Sequence, residues 1–493
     1  MNHNRGEQAK RFTDEALARL EAGEYDAALT ACAAALASEP EHADALHLTA
    51  YLHYLKNEHE TALPWFDRAA RAAPGNAEIL NNWAGSLKSL ARLEEAEPLY
   101  RRAIQLDPGL VAPRHNLAET LFMLDRTAEA LAQCHAAIDA GLEVGGDTYR
   151  LLGEVLDSQG RAVEAIQAFR KSATLGGSRA HAEYKESMVH LRAGDYEQGW
   201  RLYESRLDSL QSSLTRWKGT ILAKRTLLIR REQGLGDEVM FAACFPDLIE
   251  TGARCLVICE PRLHALFARS FPSLVFFSGT EAVARARRSA EKIDYEVAAG
   301  SLPGVFRSAA REFPKHEGYL RADPARVEHW RTRLAAIGHG PKIGLSWRGG
   351  TPQTGIKRRT VPLPLLEPLL CTKGVHWISL QWEREAPAEL AASGNALRVH
   401  HWPEALADYD ETAALLCALD LSVSATGSVV HLAGALGRPV WVMVPWLPEW
   451  RYGSAGEAMP WYPCARLFRQ DAHSSWAPVI EQVSAELAVR FPA

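Results

Sequence analysis

No run of about 20 consecutive apolar residues occurs in this chain, so it offers no helix able to span a bilayer. Residues 1–7 are polar and lack the apolar stretch of a secretory signal. Net charge is also scarce: 55 Lys and Arg stand against 60 Asp and Glu, a balance of −5 over 493 residues. A nucleic-acid or anionic-membrane surface is therefore not the organising feature. The eight cysteines are scattered, and only Cys255 and Cys259 lie close together. They flank Leu256-Val257-Ile258, an apolar run that reads as a buried strand, so both are expected to be core thiols. No Cys or His grouping has zinc spacing, and no metal is expected. There is no Gly-x-x-x-x-Gly-Lys-Ser/Thr phosphate loop, no Gly-x-Ser-x-Gly elbow and no His-Glu-x-x-His site. The expected setting is the reducing cytoplasm.

What is present is ordinary in amount and unusual in order. Apolar residues make up 47% and charged residues 23%, the mix of a globular protein. At roughly 100–200 residues per domain, two to four domains are expected. A small residue recurs at Ala28, Ala62, Ala96, Ala130, Ala165 and Gly199, at intervals of 34, 34, 34, 35 and 34 residues. Phe66, Ala69 and Pro74 follow Ala62; Tyr100, Ala103 and Pro108 follow Ala96; Ala35 and Pro40 follow Ala28. Later units keep Ala137, Phe169 and Tyr203 at matching offsets. Small residues let paired helices approach, aromatic rings fill the gap between neighbours, and Pro ends the second helix. The pattern resembles the tetratricopeptide repeat, a helix–turn–helix unit. It implies an α-solenoid over 10–210, of about six units, wound as a right-handed superhelix. Its concave face would capture a peptide or protein; a spacer or an oligomerisation arm is the alternative.

After about Trp217 the repeat stops. Short apolar runs now alternate with amphipathic stretches, the pattern of an α/β region with parallel strands. Strands are expected over 226–229, 256–259, 342–347, 376–380, 419–423 and 440–444. A charged segment after Tyr319, ending in Gly338-His339-Gly340-Pro341, separates two Rossmann-like lobes, about 220–325 and 335–493.

In doubly wound sheets ligands bind beyond the carboxyl ends of strands, where Gly-containing loops lead into helices. Three such loops occur. The first is Glu232-Gln233-Gly234-Leu235-Gly236-Asp237, before a helical run over 238–249; Asp237 stands at a helix start, where a plain N-cap is the simpler reading. The second runs Arg348-Gly349-Gly350-Thr351-Pro352, then Gly355-Ile356-Lys357-Arg358-Arg359-Thr360. Its three consecutive cations after a buried strand suit a phosphate or diphosphate. The third, Ser424-Ala425-Thr426-Gly427-Ser428, opens a helix whose N–H groups and positive dipole end face a phosphate; His431 lies one turn in. Asp408-Tyr409-Asp410 has the look of a metal-binding Asp-x-Asp, but it precedes a helical run over 413–419, so capping explains it. Trp446-Leu447-Pro448-Glu449-Trp450 follows a strand end and could line a pocket.

Taken together, residues 225–490 resemble the heptosyltransferase-like glycosyltransferases. The carriers are the first loop, Gly344-Leu345-Ser346-Trp347, Lys357-Arg358-Arg359, Ser379-Leu380-Gln381, and, most specifically, His431-Leu432-Ala433-Gly434-Ala435-Leu436-Gly437-Arg438-Pro439. The layout is similar to that of O-linked N-acetylglucosamine transferases and bacterial flagellin glycosyltransferases. The resemblance implies a GT-B fold and an inverting, metal-independent transferase with no cofactor. Its co-substrate would be a nucleotide-sugar, and its partner a protein acceptor, flagellin among them, held by the repeats. By the same resemblance Asp237 is the general base, with Gln233, Gly234 and Gly236 in the acceptor-side loop. Lys357, Arg358, Thr426, Gly427 and Ser428 hold the donor phosphates, and Ser346, Arg348, Gln381 and His431 line the donor pocket. The family has Asp where this chain has Ala425, and Gly350 is an insertion. Two alternatives stand beside this reading: transfer to lipopolysaccharide or another glycan, and a non-catalytic repeat scaffold with a degenerate transferase domain. A homo-oligomer is left open.

Overall fold

Each of the first five repeat anchors lies on the buried seam of a helix pair. The computed structural model describes residues 2–140, 145–210, 212–350, 355–395, 398–472 and 475–492, and its contacts divide the chain into Met1–Glu186 and Ser187–Ala493. In the first unit the pairs are Asn2–Glu21 with Tyr25–Ser38, Ala43–Leu55 with His59–Ala72, Ala77–Ser89 with Leu93–Leu106, Val111–Met123 with Thr127–Asp139, and Gly146–Ser158 with Ala162–Thr174. Ala28, Ala62, Ala96, Ala130 and Ala165 sit on the second helices with no exposed surface. Close approach has the cause expected from the pattern. A Cβ on Gly153 would stand 2.5 Å from the Phe169 ring, so only glycine fits beneath that aromatic. Pro40, Pro74 and Pro108 each fall two residues past a helix end.

The turn inside each pair carries a second period. Gly23, Asn57, Ala91, Asp125, Gly160 and Gly194 all have left-handed backbone, φ between 58° and 83°. In every case the next residue donates its N–H to the carbonyl five positions back, as in Arg92 to Leu87 and Arg161 to Leu156. This is the Schellman closure of a helix end, which satisfies carbonyls that would otherwise be orphaned. The sixth anchor, Gly199, lies on the helix Tyr196–Tyr203 in the second unit, and the helix Arg179–Ala193 spans the boundary.

The second unit holds two sheets. Strands β1 (Thr226–Arg230), β2 (Arg254–Cys259), β3 (Val275–Ser278) and β4 (Tyr295–Ala298) form a parallel sheet in the order β3-β2-β1-β4. Strands β5 (Lys342–Ser346), β6 (His376–Ser379), β7 (Val399–His400), β8 (Leu421–Ala425), β9 (Val440–Val444), β10 (Ala458–Met459) and β11 (Tyr462–Arg469) follow. They order as β10-β11-β9-β8-β5-β6-β7, and β10 alone runs antiparallel to its neighbour. β5, β8 and β9 are buried at every residue, which is what a parallel sheet covered on both faces requires. The helix Ala477–Arg490 covers one face, adding Ile480, Val483 and Leu487 to a core with Ile343, Leu345, Val423, Trp441 and Phe468.

Local expectations meet this structure in detail. Cys255 and Cys259 are buried on β2, and burial pushes their thiols up to about 11 and about 12. Asp408 caps the helix Tyr409–Ala418, accepting the Asp410 N–H at 2.9 Å. The strand expected over 419–423 runs instead over Leu421–Ala425, because Leu419 still closes the preceding helix. No helix among the described residues is long and apolar enough to cross a membrane.

Candidate functional site

The loop after β1 is held from behind before it reaches any ligand. Arg206 makes two hydrogen bonds to Glu232, at 2.9 and 2.6 Å, and Glu232 also accepts the Gly300 N–H at 2.5 Å. Gln233 has left-handed backbone, φ +62°, and donates from Nε2 to the Tyr203 hydroxyl. A non-glycine residue in that region is strained, and such strain persists where the surroundings impose it. Gly234 then caps the helix Leu235–Phe241. Asp237 is not the cap itself. It is the third helical residue, and its Oδ2 reaches back to the Gly234 N–H at 3.2 Å, while Oδ1 pairs with the buried Arg451.

Facing it is the turn after β8. Gly427 caps the helix Ser428–Ala435, and Thr426 is fully buried. The two loops touch: a Cβ on Gly236 would lie 3.1 Å from His431 Cδ2 and 3.3 Å from Ser428 Cα. The second loop closes on the same turn, since a Cβ on Gly349 would overlap the Thr426 carbonyl oxygen at 1.9 Å. Glycine at 236 and 349 is thus what lets three loops from two sheets meet at Thr426–Ser428. His431 is buried behind this contact with Nδ1 3.1 Å from Tyr462 Oη. Burial, reinforced by the Arg451 charge, lowers its pKa to about 3, so it is neutral at physiological pH.

The three consecutive cations do not act alike. Lys357 is exposed and makes no ion pair among the described residues, and Arg358 is half-buried. Arg359 is the buried one: Nε is 3.0 Å from Thr426 Oγ1, Nη2 donates to the Thr426 carbonyl at 2.8 Å, and Nη1 pairs with Glu449 at 3.1 Å. Glu449 also lies 3.6 Å from Arg451, whose Nη2 pairs with Asp237 Oδ1. A chain of alternating charge therefore runs Asp237–Arg451–Glu449–Arg359 and ends on Thr426. Arg359, Glu449 and Arg451 were not singled out as site residues from the sequence. The available signals were the run of cations and the Trp446–Trp450 segment, whose Trp450 packs edge-on against Trp200 at 5.3 Å.

Ser346, Arg348 and Gln381 form a separate network. Gln381 Oε1 accepts from Ser346 Oγ and from the Trp347 and Arg348 N–H groups at 3.2, 3.0 and 3.1 Å. Arg348 pairs with Glu389 at 2.6 Å. These residues shape the loop that follows β5, and Gln381 does so by replacing a missing backbone partner. Thr351 and Pro352 of that loop lie outside the described residues. A cavity of about 120 Å³ opens at the carboxyl ends of β1 and β4, lined by Trp217, Arg230, Arg231, Glu232, Glu296 and Ser301 among others. Glu238, next to Asp237, points away from the meeting of loops. It pairs with Arg231 at 3.0 Å, and burial raises its pKa to about 7.

Fold and site define a tetratricopeptide-repeat protein with an appended α/β unit of two largely parallel sheets. Family patterns of the tetratricopeptide repeat match residues 13–77, 77–110 and 115–180. Protein FlbA of Caulobacter vibrioides is 31% identical over 505 residues, covering 96% of this chain and 83% of that protein. The chain belongs to the FlbA family. Among solved structures it is similar to pilF of Pseudomonas aeruginosa, 22% identical over 42% of this chain and 95% of that one, with a TM-score of 0.38. It is also similar to TTC0263, a tetratricopeptide-repeat protein of Thermus thermophilus, 20% identical over 37% of this chain and 99% of that one, with a TM-score of 0.32.

Proposed function

We propose that the chain is an inverting glycosyltransferase of GT-B type that moves a sugar from a nucleotide-sugar to a protein acceptor recruited by the repeats, flagellin being one such acceptor. The observation that carries this reading is the close approach of the Gly234–Asp237 loop to the Thr426–His431 helix start, where a Cβ on Gly236 would stand only 3.1 Å from His431 and 3.3 Å from Ser428. It sets a carboxylate against a helix N-terminus and buried arginines. In the reaction the acceptor hydroxyl oxygen attacks the anomeric carbon as the carbon–oxygen bond to the diphosphate breaks. Asp237 takes the hydroxyl proton within hydrogen-bond reach. The charge leaving on the nucleoside diphosphate is met by the N–H groups of Gly427 and Ser428 and by the Lys357-Arg358-Arg359 turn.

On the solenoid, polar side chains join the first helices of successive pairs. His47 Nε2 and Asn82 are 3.1 Å apart, Asn116 donates to Asn81 at 3.0 Å, and Lys88 pairs with Glu119 at 2.5 Å. Such a polar row suits an extended acceptor segment whose backbone groups need partners. A scaffold reading has one observation in its favour: Ala425 is buried at the end of β8 where the resembling family has a carboxylate.

The test is turnover of a panel of nucleotide-sugars with and without candidate acceptor proteins. Asp237→Asn should reduce transfer by a hundredfold or more, as loss of a general base commonly does over a range of about 10²–10⁴. Asn81→Ala with Asn116→Ala should raise KM for the protein acceptor and leave KM for the donor unchanged. Absence of turnover with every nucleotide-sugar would leave the scaffold reading.

A further inference from the structure

Two guanidinium groups converge on one carboxylate oxygen beside the Thr426 turn. Arg359 Nη1 is 3.1 Å and Arg451 Nη1 3.6 Å from Glu449 Oε1. Their side chains are only 9% and 12% exposed, so neither is a solvated surface cation. They come from distant segments and are fixed independently. Arg359 is anchored on Thr426 O and Oγ1. Arg451 follows Trp450, which is clasped by Trp200 and Tyr203 at 5.3 and 6.0 Å and lies 6.3 Å from Trp461.

Desolvated arginines aimed at a shared point are the donor set for a phosphoryl group, whose oxygens accept several N–H bonds at once. A single carboxylate fills that place incompletely. Glu449 Oε1 serves both arginines, and Arg451 turns Nη2 to Asp237.

We infer that Arg359 and Arg451 form a diphosphate-binding pair, that Glu449 occupies it in the empty protein, and that an entering diphosphate draws Arg451 away from Asp237. The inference rests on the transferase reading and gives it an order of events. While Arg451 holds Asp237 Oδ1, that oxygen is not open to an acceptor hydroxyl. A diphosphate carries more charge and more acceptor oxygens than Asp237, so it competes successfully for Arg451. Asp237 is then released to an acceptor hydroxyl only when the donor is in place. Donor binding precedes acceptor binding, and Arg451 acts on the base as a positioning residue.

The probe is inorganic pyrophosphate, titrated by calorimetry into the full-length protein and into Arg359→Lys, Arg451→Lys and Glu449→Gln. Lysine keeps the charge that Glu449 and Asp237 require and removes the fork, so these variants are expected to fold; their unliganded melting temperatures check it. Both Lys variants should bind pyrophosphate roughly tenfold more weakly, the effect of losing one charge-assisted hydrogen bond. Glu449→Gln, which removes the competing charge, should bind roughly tenfold more tightly. Pyrophosphate that fails to bind, or binds all four proteins equally, overturns the inference, as does weaker binding to Glu449→Gln. Nucleotide-sugar turnover that depends on Asp237 while the pyrophosphate series stays flat would overturn the inference and leave the transferase standing. Tighter binding to Glu449→Gln with no turnover of any nucleotide-sugar would support the arginine pair and remove the transferase.

Discussion

Replacing Arg206 by Met tests how the loop that bears Asp237 is held. The Arg206 side chain is 8% exposed and its Glu232 partner 15%. The guanidinium donates twice to Glu232, once to the Tyr203 carbonyl at 2.8 Å and once to Ser301 Oγ at 3.1 Å, and stacks 4.2 Å from the Tyr203 ring. Burial alone would depress the Arg206 pKa, but the hydrogen bonds and charge of Glu232, together with Tyr203 and Glu204, outweigh it and raise the pKa, so Arg206 stays charged. Met preserves most of the apolar stem and removes every donor. Glu232 is then a desolvated carboxylate with one remaining partner, the Gly300 N–H. Removing one member of a buried ion pair costs about 3–5 kcal/mol. Glu232→Gln should cost less, about 2 kcal/mol, because Arg206 keeps Tyr203 and Ser301. The double variant leaves no uncompensated charge, so it should lose about 3 kcal/mol, well below the sum of the two single changes.

The assay is urea unfolding followed by tryptophan fluorescence. Only Trp65 and Trp83 precede Ser187, and the other 12 of the 14 tryptophans report on the second unit. A loss below about 1 kcal/mol for Arg206→Met, or additive single effects, would refute the claim that this pair anchors the loop. The strained Gln233 makes the consequence local as well as global. Once Glu232 loosens, the left-handed backbone at φ +62° loses what imposes it.

Three further outcomes are expected. Gly236→Ala raises helix propensity by as much as ~1 kcal/mol, but its Cβ presses on Ser428 Cα at 3.3 Å and His431 Cδ2 at 3.1 Å; thermal stability should hold and, on the proposed transferase reading, nucleotide-sugar turnover should fall about tenfold, equivalent to ~1.4 kcal/mol, and unchanged turnover would show the contact is idle. Glu238 titrates near 7 when folded against an ordinary 4.5, chiefly through burial, so the folded state binds the extra proton and stability is lost as pH rises from 4.5 through 7. Urea unfolding at pH 5 and pH 8 should show Glu238→Gln removing up to roughly 3 kcal/mol of that decline; an equal decline in both proteins would contradict the assignment. Ala91 holds left-handed backbone, φ +58°, at an exposed turn, so Ala91→Gly should stabilise the repeats by about 1 kcal/mol in circular-dichroism melts, and a lower melting temperature would count against strain there.

What could be read from residue types, and what could not, follows from where each feature stores its information. The repeat was legible because its seam demands small residues, and Ala28, Ala62, Ala96, Ala130 and Ala165 answer that demand by type. The turn that recurs with the same spacing was invisible, since Gly23, Asn57, Ala91 and Asp125 share a conformation and no chemistry. Strands β1, β2, β5, β6, β8 and β9 showed as apolar runs because they are interior to their sheets. β4, β7 and β10 are edges, and β11, beside the edge, mixes Arg466 and Arg469 with Leu467 and Phe468; none presents an unbroken run, whereas the edge strand β3 carries the short run Leu274–Phe277 that was not read as a strand. The site divides in the same way. Gly236 and Gly349 were visible as glycine loops because other backbone comes close there, most tightly at Gly349, where a Cβ would overlap the Thr426 carbonyl oxygen. The arginines were not, because a cation becomes part of a site through its partner, and the partners of Arg359 and Arg451 are Glu449 and Asp237, one of them 214 residues away along the chain. Which of three adjacent cations turns inward is settled by the turn at Gly355–Arg359, where the Arg359 N–H closes on the Gly355 carbonyl at 3.3 Å and sends its side chain to Thr426. Lys357 and Arg358 have the same charge and the same neighbourhood in sequence, so only that backbone path distinguishes the buried cation from the other two.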